Sequence, residues 1–370
     1  MTYRVALWGT GWSGRQAIPG ILEHPDLELA GVYVTSPEKD GRDVGDLAGI
    51  APIGLRATTD VDRIMDLQVD CHLVMLLGHR PHTAAAVVNR ICALLEAGQN
   101  VSQTSIVPLY YPKYAPAAMR EQVEAACRSG SSRCYGTGVF PGVVSDVIPM
   151  ALLAGSERVD RIRITEMLNY LEYYGAAEAR LSGIGESLES GLERARRVAV
   201  GTKDLVSAAI LHLAERLDVQ IDEIRTGLVD VAPAHKRVEV ETLIIEPGTV
   251  GALRHITEGH AGGRSVIELQ FVTRYDNAAG PDWPAPAESR TGCYRIEIEG
   301  SLSIGCDLNL VGRRRSSTQT RGFARESPQL GAYIMTTAPA INAVPFLCAA
   351  EPGLYGSMDL DRSHDLHVIR

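Results

Sequence analysis

The chain has 370 residues, of which 45% are hydrophobic and 22% are charged, a composition typical of a folded protein that is too long for one ordinary core. Its net charge of −9 disfavours nucleic acid or an anionic membrane as the main partner. No apolar run reaches 18 residues and no basic leader precedes the first apolar run, so we expect a cytoplasmic protein. The seven cysteines have no zinc-site spacing, and no metal is predicted.

The first predicted unit is a βαβ unit that contains a GxGxxG turn. The apolar run Val5–Trp8 enters the turn, a helical pattern extends to about Glu23, and a second apolar run, Leu27–Val34, closes the unit. In a dinucleotide site the first glycine allows the tight turn, the second allows the pyrophosphate to approach, and the third allows close helix packing. The alternative, a turn that binds nothing, is disfavoured by this context. The predicted cofactor residues of the turn are Gly9, Thr10, Gly11, Trp12, Ser13 and Gly14.

The end of the second strand bears on which dinucleotide binds. NAD sites usually carry Asp or Glu there for the ribose 2′-hydroxyl. This strand continues instead into Thr35, Ser36 and, beyond a proline, Lys39. Hydroxyls and an ammonium group suit a 2′-phosphate, so we predict NADP as the cofactor, with NAD possible. The alternative is that Lys39 is only a solvated loop charge.

Strand and helix patterns then alternate to about residue 150. Apolar runs at 71–77 and 100–104 are followed by helical patterns at 81–97 and 115–129, which predicts a parallel sheet covered on both faces. Ligands bind at the carboxyl ends of such strands. Gly78, Thr104 and Ser105 are therefore expected near the nicotinamide. His79 is a candidate proton donor, although a solvent-facing residue at a helix start is the slightly favoured alternative.

The pattern changes beyond about residue 155. Runs that alternate polar and apolar residues at 157–166, 238–245, 265–272 and 294–299 predict a second sheet with one face that is wet or covered by a partner. We predict a helix over 203–217 against that sheet, a mobile loop over 313–328, and a short helix over 338–346. The expected organisation is a doubly wound α/β Rossmann domain (1–150 plus about 330–370) and a mixed α/β domain (151–329).

A polar and aromatic segment follows the first strand of that second domain. Within nine residues it holds Glu166, Asn169, Tyr173 and Tyr174, a mixture that suits a pocket with an apolar wall and a few directional polar groups. Glu166 or Tyr173 is a candidate proton donor, and Asn169 and Tyr174 are candidate substrate contacts. The tyrosines could equally lie in a dimer interface.

Taken together, these residues resemble the dihydrodipicolinate reductase-like family, and within it 2,4-diaminopentanoate dehydrogenase and the amine dehydrogenases. The matching segments are Gly9–Gly14, Glu23–Leu29, Ser36–Lys39, Gly98–Val101, Pro141–Gly142 with Asp146, and Ala340–Ala343. The resemblance implies a Rossmann domain, a substrate and dimerisation domain, a homodimer, and hydride exchange between NAD(P)H and an imine. It also places Asn342 at the cofactor and Phe140 at the substrate.

The sequence departs from that family at two positions. The family's Asn-Pro-Gly turn is Phe140-Pro141-Gly142 in this chain. The amine dehydrogenases it resembles carry a glutamate shortly after the Asn-Val strand, whereas residues 104–109 in this chain contain no carboxylate. Three hypotheses follow: a reductase of a C=N or C=O bond in a small, largely apolar substrate; an amine dehydrogenase that uses another acid; and a nucleotide sensor without catalysis.

Overall fold

The structure, a computed structural model, describes residues 2–78, 81–172, 176–287, 292–313 and 326–359. The predicted site residues His79, Tyr173 and Tyr174 lie outside these ranges. The chain divides into two compact units, the first comprising Met1–Val143, Arg313–Arg325 and Ala332–Arg370, and the second Val144–Gly312 with Glu326–Gly331. The division thus falls after Val143, whereas the sequence placed it at residue 150; the roles assigned to the two domains stay predictions.

Helices alternate with strands in the first part of the chain, and longer strands dominate the second part. The α-helices are α1 (Trp12–Glu23), α2 (Val44–Ala48), α3 (Val61–Met65), α4 (Pro81–Glu96), α5 (Ala117–Gly130), α6 (Val147–Leu153), α7 (Ala176–Leu181), α8 (Leu188–Arg216), α9 (Pro328–Asn342) and α10 (Val344–Ala349). The strands are β1 (Tyr3–Trp8), β2 (Leu27–Tyr33), β3 (Cys71–Val74), β4 (Asn100–Gln103), β5 (Arg133–Gly136), β6 (Val159–Asn169), β7 (Glu223–Pro233), β8 (Val238–Val240), β9 (Leu243–Ile245), β10 (Val250–Ala261), β11 (Arg264–Arg274), β12 (Gly292–Gly300), β13 (Ile304–Leu308), β14 (Gly312–Arg313), β15 (Glu326–Ser327) and β16 (Gly353–Tyr355).

The first unit contains a six-stranded parallel sheet in the order β16-β5-β4-β3-β1-β2. Alternate residues of β1 enter different cores: Val5 and Leu7 pack with α1 and the C-terminal helices, whereas Ala6 and Trp8 pack with α4 and α5. Because both faces of the sheet are covered by helices, the predicted doubly wound Rossmann architecture is confirmed. The strand order reverses beside β1, which places the ligand crevice of such a sheet at the carboxyl end of β1.

The C-terminal helices account for the most apolar stretch of the described chain. Within those residues, Pro328–Ala349 is long and apolar enough to cross a membrane, with 22 residues and a mean hydropathy of 1.3. However, Ala340, Ile341, Val344 and Leu347 are buried core residues of the first unit. A helix that packs into a core passes the same test of length and composition as a membrane span.

The second unit contains a mixed six-stranded sheet in the order β13-β12-β6-β11-β10-β7, in which only β6 and β11 run parallel. Helix α8 packs against β7 and β10. It meets the sheet face that carries Ile162 and Ile267, since a Cβ on Gly259 in the same row would lie 2.5 Å from Ile210 Cγ2 of α8. The mixed α/β class predicted for this part of the chain is confirmed.

Several predicted elements differ from the structure. The run at 238–245 is not one strand of the second sheet: it turns at Glu241, whose φ is +49°, and β8 and β9 form a hairpin of their own. The helix predicted over 203–217 is the end of the 29-residue α8. The helix predicted over 338–346 is the end of α9 and the start of α10. Of the predicted loop at 313–328, residues 314–325 lie outside the described ranges, whereas its two ends belong to β14, β15 and α9.

Candidate functional site

The three glycines of the N-terminal turn meet different surroundings. Gly9 follows β1 with φ +103°, a conformation that favours glycine, and a Cβ there would lie 2.7 Å from Met75 O. At Gly14 a Cβ would lie 2.0 Å from Gly9 O, so only glycine allows α1 to approach the strand end this closely. At Gly11 a Cβ would meet nothing within 4 Å. Packing therefore explains Gly9 and Gly14, whereas the space at Gly11 remains open to a ligand.

Helix α1 begins at this turn without a capping side chain. Gly11 is its N-cap residue, and neither a side-chain cap nor an acidic residue in the first turn is found in this described helix. Helix N-termini carry partial positive charge and amide donors that attract phosphate. The open space at Gly11 and this helix end fit a dinucleotide pyrophosphate.

A cleft of about 600 Å³ opens beside the turn, entirely within the first unit. One wall is formed by Thr10, Gly11 and Trp12, and cationic side chains come from Arg15, Lys39 and Arg42. The remaining lining residues are Asp46, Leu47 and Gly49. Three cations against one carboxylate make the cleft favourable for an anion with more charge than a pyrophosphate alone.

Lys39 is held at the turn by two contacts. Its Nζ lies 3.2 Å from Thr10 O and 3.3 Å from Thr10 Oγ1 and donates to both. Burial lowers the pKa of Lys39, and the positive charge of Arg15 lowers it further. The Arg15 guanidinium itself lies 6.0 Å from the centre of the Trp12 ring. The repulsion between the Lys39 ammonium group and the neighbouring cations decreases when an anion binds. Such a group of cations is typical of a phosphate site.

The segment that carries Arg42 and Asp46 is fixed by Asp43. The Asp43 carboxylate accepts hydrogen bonds from Gly45 N at 2.8 Å, Ile53 N at 3.0 Å and Gly54 N at 2.9 Å. These bonds lower the pKa of Asp43. Arg42 O accepts from Ala57 N at 2.9 Å. The cleft wall is therefore preorganised rather than a loose loop.

The polar groups after β4 are largely occupied within the first unit. Ser105 is buried and its Oγ donates to Val74 O at 3.1 Å, joining the ends of β3 and β4. Gln103 Oε1 accepts from the backbone N–H groups of Ser105 and Ile106. Gly78 is packed so closely that a Cβ would lie 2.8 Å from Ser105 O. Thr104 O accepts from the Tyr110 hydroxyl. Contacts of Gly78, Thr104 and Ser105 with a cofactor stay predictions.

In the second unit, Glu166 is a buried carboxyl group with a raised pKa. Glu166 is 4% exposed on β6, and the Tyr170 hydroxyl donates to its Oε1 at 2.6 Å. Burial raises the pKa of Glu166 to about 7, against the opposing effect of hydrogen bonds from Tyr170 and Tyr294. A carboxyl group with that pKa is divided between its acid and base forms near neutral pH, as general acid–base catalysis requires.

The other predicted contacts lie in varied surroundings. Asn169 is already engaged: its Nδ2 donates to Asn277 Oδ1 at 2.7 Å and its Oδ1 accepts from Leu171 N at 2.9 Å. Phe140 is buried in the first unit, and Asn342 ends α9 half-buried. Neither Thr35, which is exposed, nor Ser36 lines the cleft among the residues the structure describes.

The two arginines of the cleft were among the lining residues missed from the sequence. Arg15 directly follows Gly14 in the first turn of α1, and Arg42 follows Lys39 by three residues in the connecting segment. Their closeness to residues already selected was an available signal, but their convergence depends on the path of residues 34–58. In the described parts of the chain, no group of His, Cys, Asp and Glu side chains is arranged to hold a metal ion.

Known dehydrogenases resemble this chain along nearly its whole length. Residues 143–308 match the C-terminal domain of 2,4-diaminopentanoate dehydrogenase. An amine dehydrogenase from Streptomyces virginiae is 30% identical over 360 residues, which cover 96% of this chain and 95% of that protein.

Solved structures show the same fold. The structure of an amine dehydrogenase from Mycobacterium smegmatis superposes with a TM-score of 0.74 at 18% identity, covering 99% of this chain and 98% of that one. Biliverdin reductase from Synechocystis, solved with biliverdin and NADP⁺, gives a TM-score of 0.52 at 12% identity, covering 99% and 94% of the two chains. At these identities the similarity concerns the fold alone.

Proposed function

Because the chain belongs to the family of 2,4-diaminopentanoate dehydrogenases and amine dehydrogenases, and is thus an NAD(P)-dependent oxidoreductase, we propose that it reduces a C=N or C=O bond of a small, largely apolar substrate with NADPH. The reduced nicotinamide supplies the hydride when it is bound. The protein has to bind the cofactor, exclude water and provide one proton. The observation that carries the proposal is the cleft in which Arg15, Lys39 and Arg42 converge beside the glycine turn.

The preference for NADPH rests on the charge of this cleft. A 2′-phosphate adds negative charge that NADH lacks, and three cationic side chains line the cleft. The contacts of Lys39 Nζ with Thr10 fix one of these cations at the glycine turn. We propose that Arg15 and Arg42 contribute most of the discrimination, since guanidinium groups bind phosphate in a bidentate way.

Glu166 is the proposed proton donor. Its buried position, its pKa of about 7 and the hydrogen bond from Tyr170 support this role. Residues 104–109, where the family glutamate would stand, contain no carboxylate. Asn169 and Phe140 are proposed to contact the substrate.

A second candidate function is reductive amination, in which ammonia and a ketone form the imine that is reduced. The name of the Streptomyces virginiae relative, an amine dehydrogenase, favours it. The absence of a carboxylate in residues 104–109 requires that another acid, Glu166 in this proposal, handle the protons.

We propose a cytoplasmic homodimer that acts on a small molecule. The sheet face of the second unit opposite α8 carries alternating charges, with Arg163 paired to Glu268 at 3.0 Å and to Glu297 at 3.4 Å. A face that carries both signs can pair with a second copy of itself across a two-fold axis, as an isologous interface requires. This face is the proposed dimer interface.

The proposal is tested by following NADPH and NADH oxidation over a panel of small ketones, with and without ammonia. Turnover with NADPH at a lower KM than with NADH is expected. Turnover that needs ammonia assigns reductive amination, and turnover without ammonia assigns a ketone or imine reductase. Nucleotide binding without turnover on any substrate contradicts the proposed reaction and favours a sensor, and a lower KM for NADH contradicts the cofactor preference.

A further inference from the structure

The cofactor cleft contains one negatively charged residue, which would repel a phosphate. Asp46 lines it together with Arg15, Lys39 and Arg42. Its side chain is exposed, and no ion pair within 4.0 Å joins it to any of the three cations among the described residues, although it lies only four residues beyond Arg42. The carboxylate is therefore close to the cations without being neutralised by direct contact. Its hydrogen-bond acceptors remain available to a ligand.

The position of Asp46 is fixed by its neighbours in α2. Val44, Leu47 and Ala48 are buried in the core that also contains Ile18 of α1. Asp43 anchors the start of α2 through three backbone N–H groups. A Cβ on Gly45 would lie 2.1 Å from Ala51 O, so the chain folds back tightly after α2. With its apolar side in the core, α2 fixes the backbone that carries Asp46 at the cleft before a ligand binds.

The chemistry of a carboxylate beside the glycine turn is that of a hydroxyl acceptor. NAD sites use an acidic residue for the ribose hydroxyls, usually at the end of the second strand. In this chain that strand ends in Tyr33 and continues through Thr35 and Ser36, with no carboxylate. Asp46 brings the missing acid to the same cleft from α2 instead.

We propose that Asp46 is a specificity-determining residue that accepts a hydrogen bond from the adenosine ribose 2′-hydroxyl, so that the cleft binds NADH as well as NADPH. The cations bind the 2′-phosphate of NADPH, and the carboxylate binds the 2′-hydroxyl that NADH carries at the same position. The inference rests on the proposed function, because it assumes that the cleft holds the adenosine end of the dinucleotide.

The test is the affinity of each nucleotide for the full-length protein, measured by isothermal titration calorimetry, which does not depend on turnover. In Asp46→Ala the Kd for NADH is expected to rise about tenfold, the effect of one lost hydrogen bond to a charged group, and the Kd for NADPH to stay unchanged or fall. Asp62→Ala is the matched control, since Asp62 is an exposed aspartate in the first turn of the short helix α3 and does not line the cleft. It should change neither Kd.

Every other outcome contradicts either the role of Asp46 or the proposed function. An NADH affinity that is unchanged or tighter in Asp46→Ala, an equal loss for both nucleotides, or a wild-type protein that binds NADPH but not NADH overturns the role of Asp46 and leaves the proposed function standing. A wild-type protein that binds neither nucleotide overturns the proposed function itself. Thermal unfolding of both variants shows whether the fold is intact.

Discussion

At the scale of single residues, the decisive group is the Glu166 carboxyl. Its pKa is raised above the value of about 4.5 in the unfolded chain, so the stability it contributes is present below about pH 4.5 and is lost as the pH rises from there to about 7. Glu166→Gln is expected to lower kcat by about 100-fold or more, the usual effect of losing a general acid. Its free energy of unfolding at pH 8 should not fall, because a buried ionised carboxylate is removed. Steady-state kinetics and urea unfolding check both; unchanged turnover excludes Glu166 as the donor.

Tyr170 is a positioning residue for the same group. Its hydrogen bond lowers the pKa of Glu166, so Tyr170→Phe should raise that pKa and move the high-pH fall of kcat to higher pH. Tyr110→Phe is a matched control, because Tyr110 is also a buried tyrosine with one hydroxyl hydrogen bond, to Thr104 O at 2.8 Å. Identical pH profiles for wild type and Tyr170→Phe would contradict this role.

At the scale of elements, different glycines of the turn before α1 are required for packing and for binding. Gly14→Ala should destabilise the protein, because its Cβ would overlap Gly9 O and force α1 away from the strand. Gly11→Ala should unfold at the wild-type temperature, since nothing lies within 4 Å and φ is −70°. It should nevertheless lose most NADPH affinity, because a methyl group then stands where the pyrophosphate must approach. Unaltered NADPH binding by Gly11→Ala would show that the phosphate lies elsewhere.

A second element-scale prediction concerns a buried hydrogen-bond chain between β1, β3 and the segment after α4. Trp8 Nε1 donates to His72 Nδ1 at 2.8 Å, His72 Nε2 pairs with Gln99 Oε1, and Gln99 Nε2 donates to Met65 O at 2.9 Å. Burial lowers the pKa of His72 to about 4. Because the unfolded chain takes up this proton first, stability is lost as the pH falls from about 6.5 towards 4.

The expected size of that effect is about 2 kcal/mol less stability at pH 5 than at pH 7.5 from this histidine. Urea unfolding of wild type and His72→Gln at both pH values isolates it, because the other titrating groups are shared. We expect His72→Gln to be less stable than wild type at pH 7.5. Its loss of stability between pH 7.5 and pH 5 should, however, be smaller than the loss in wild type by about 2 kcal/mol. Equal differences would mean that His72 is not the titrating group.

At the scale of the whole molecule, the proposed assembly is a dimer through the charged sheet face. Light scattering after size exclusion should give about twice the chain mass of 39.9 kDa. Arg163→Glu places a third carboxylate beside Glu268 and Glu297 and should yield monomers, whereas Arg225→Glu changes an exposed pair with Glu223 at the sheet edge and should not. A wild-type monomer would contradict the homodimer.

The sequence by itself determined the architecture of both units and the position of the glycine turn. These depend on local signals: period-two and helical patterns, and a turn whose glycine spacing is set by sterics at Gly9 and Gly14. Only the tertiary structure decided that Arg15, Arg42 and Asp46 share a cleft with Lys39, and that Glu166 is buried against Tyr170. The physical reason is that charge convergence and desolvation depend on contacts between segments distant in the chain, which no local pattern records.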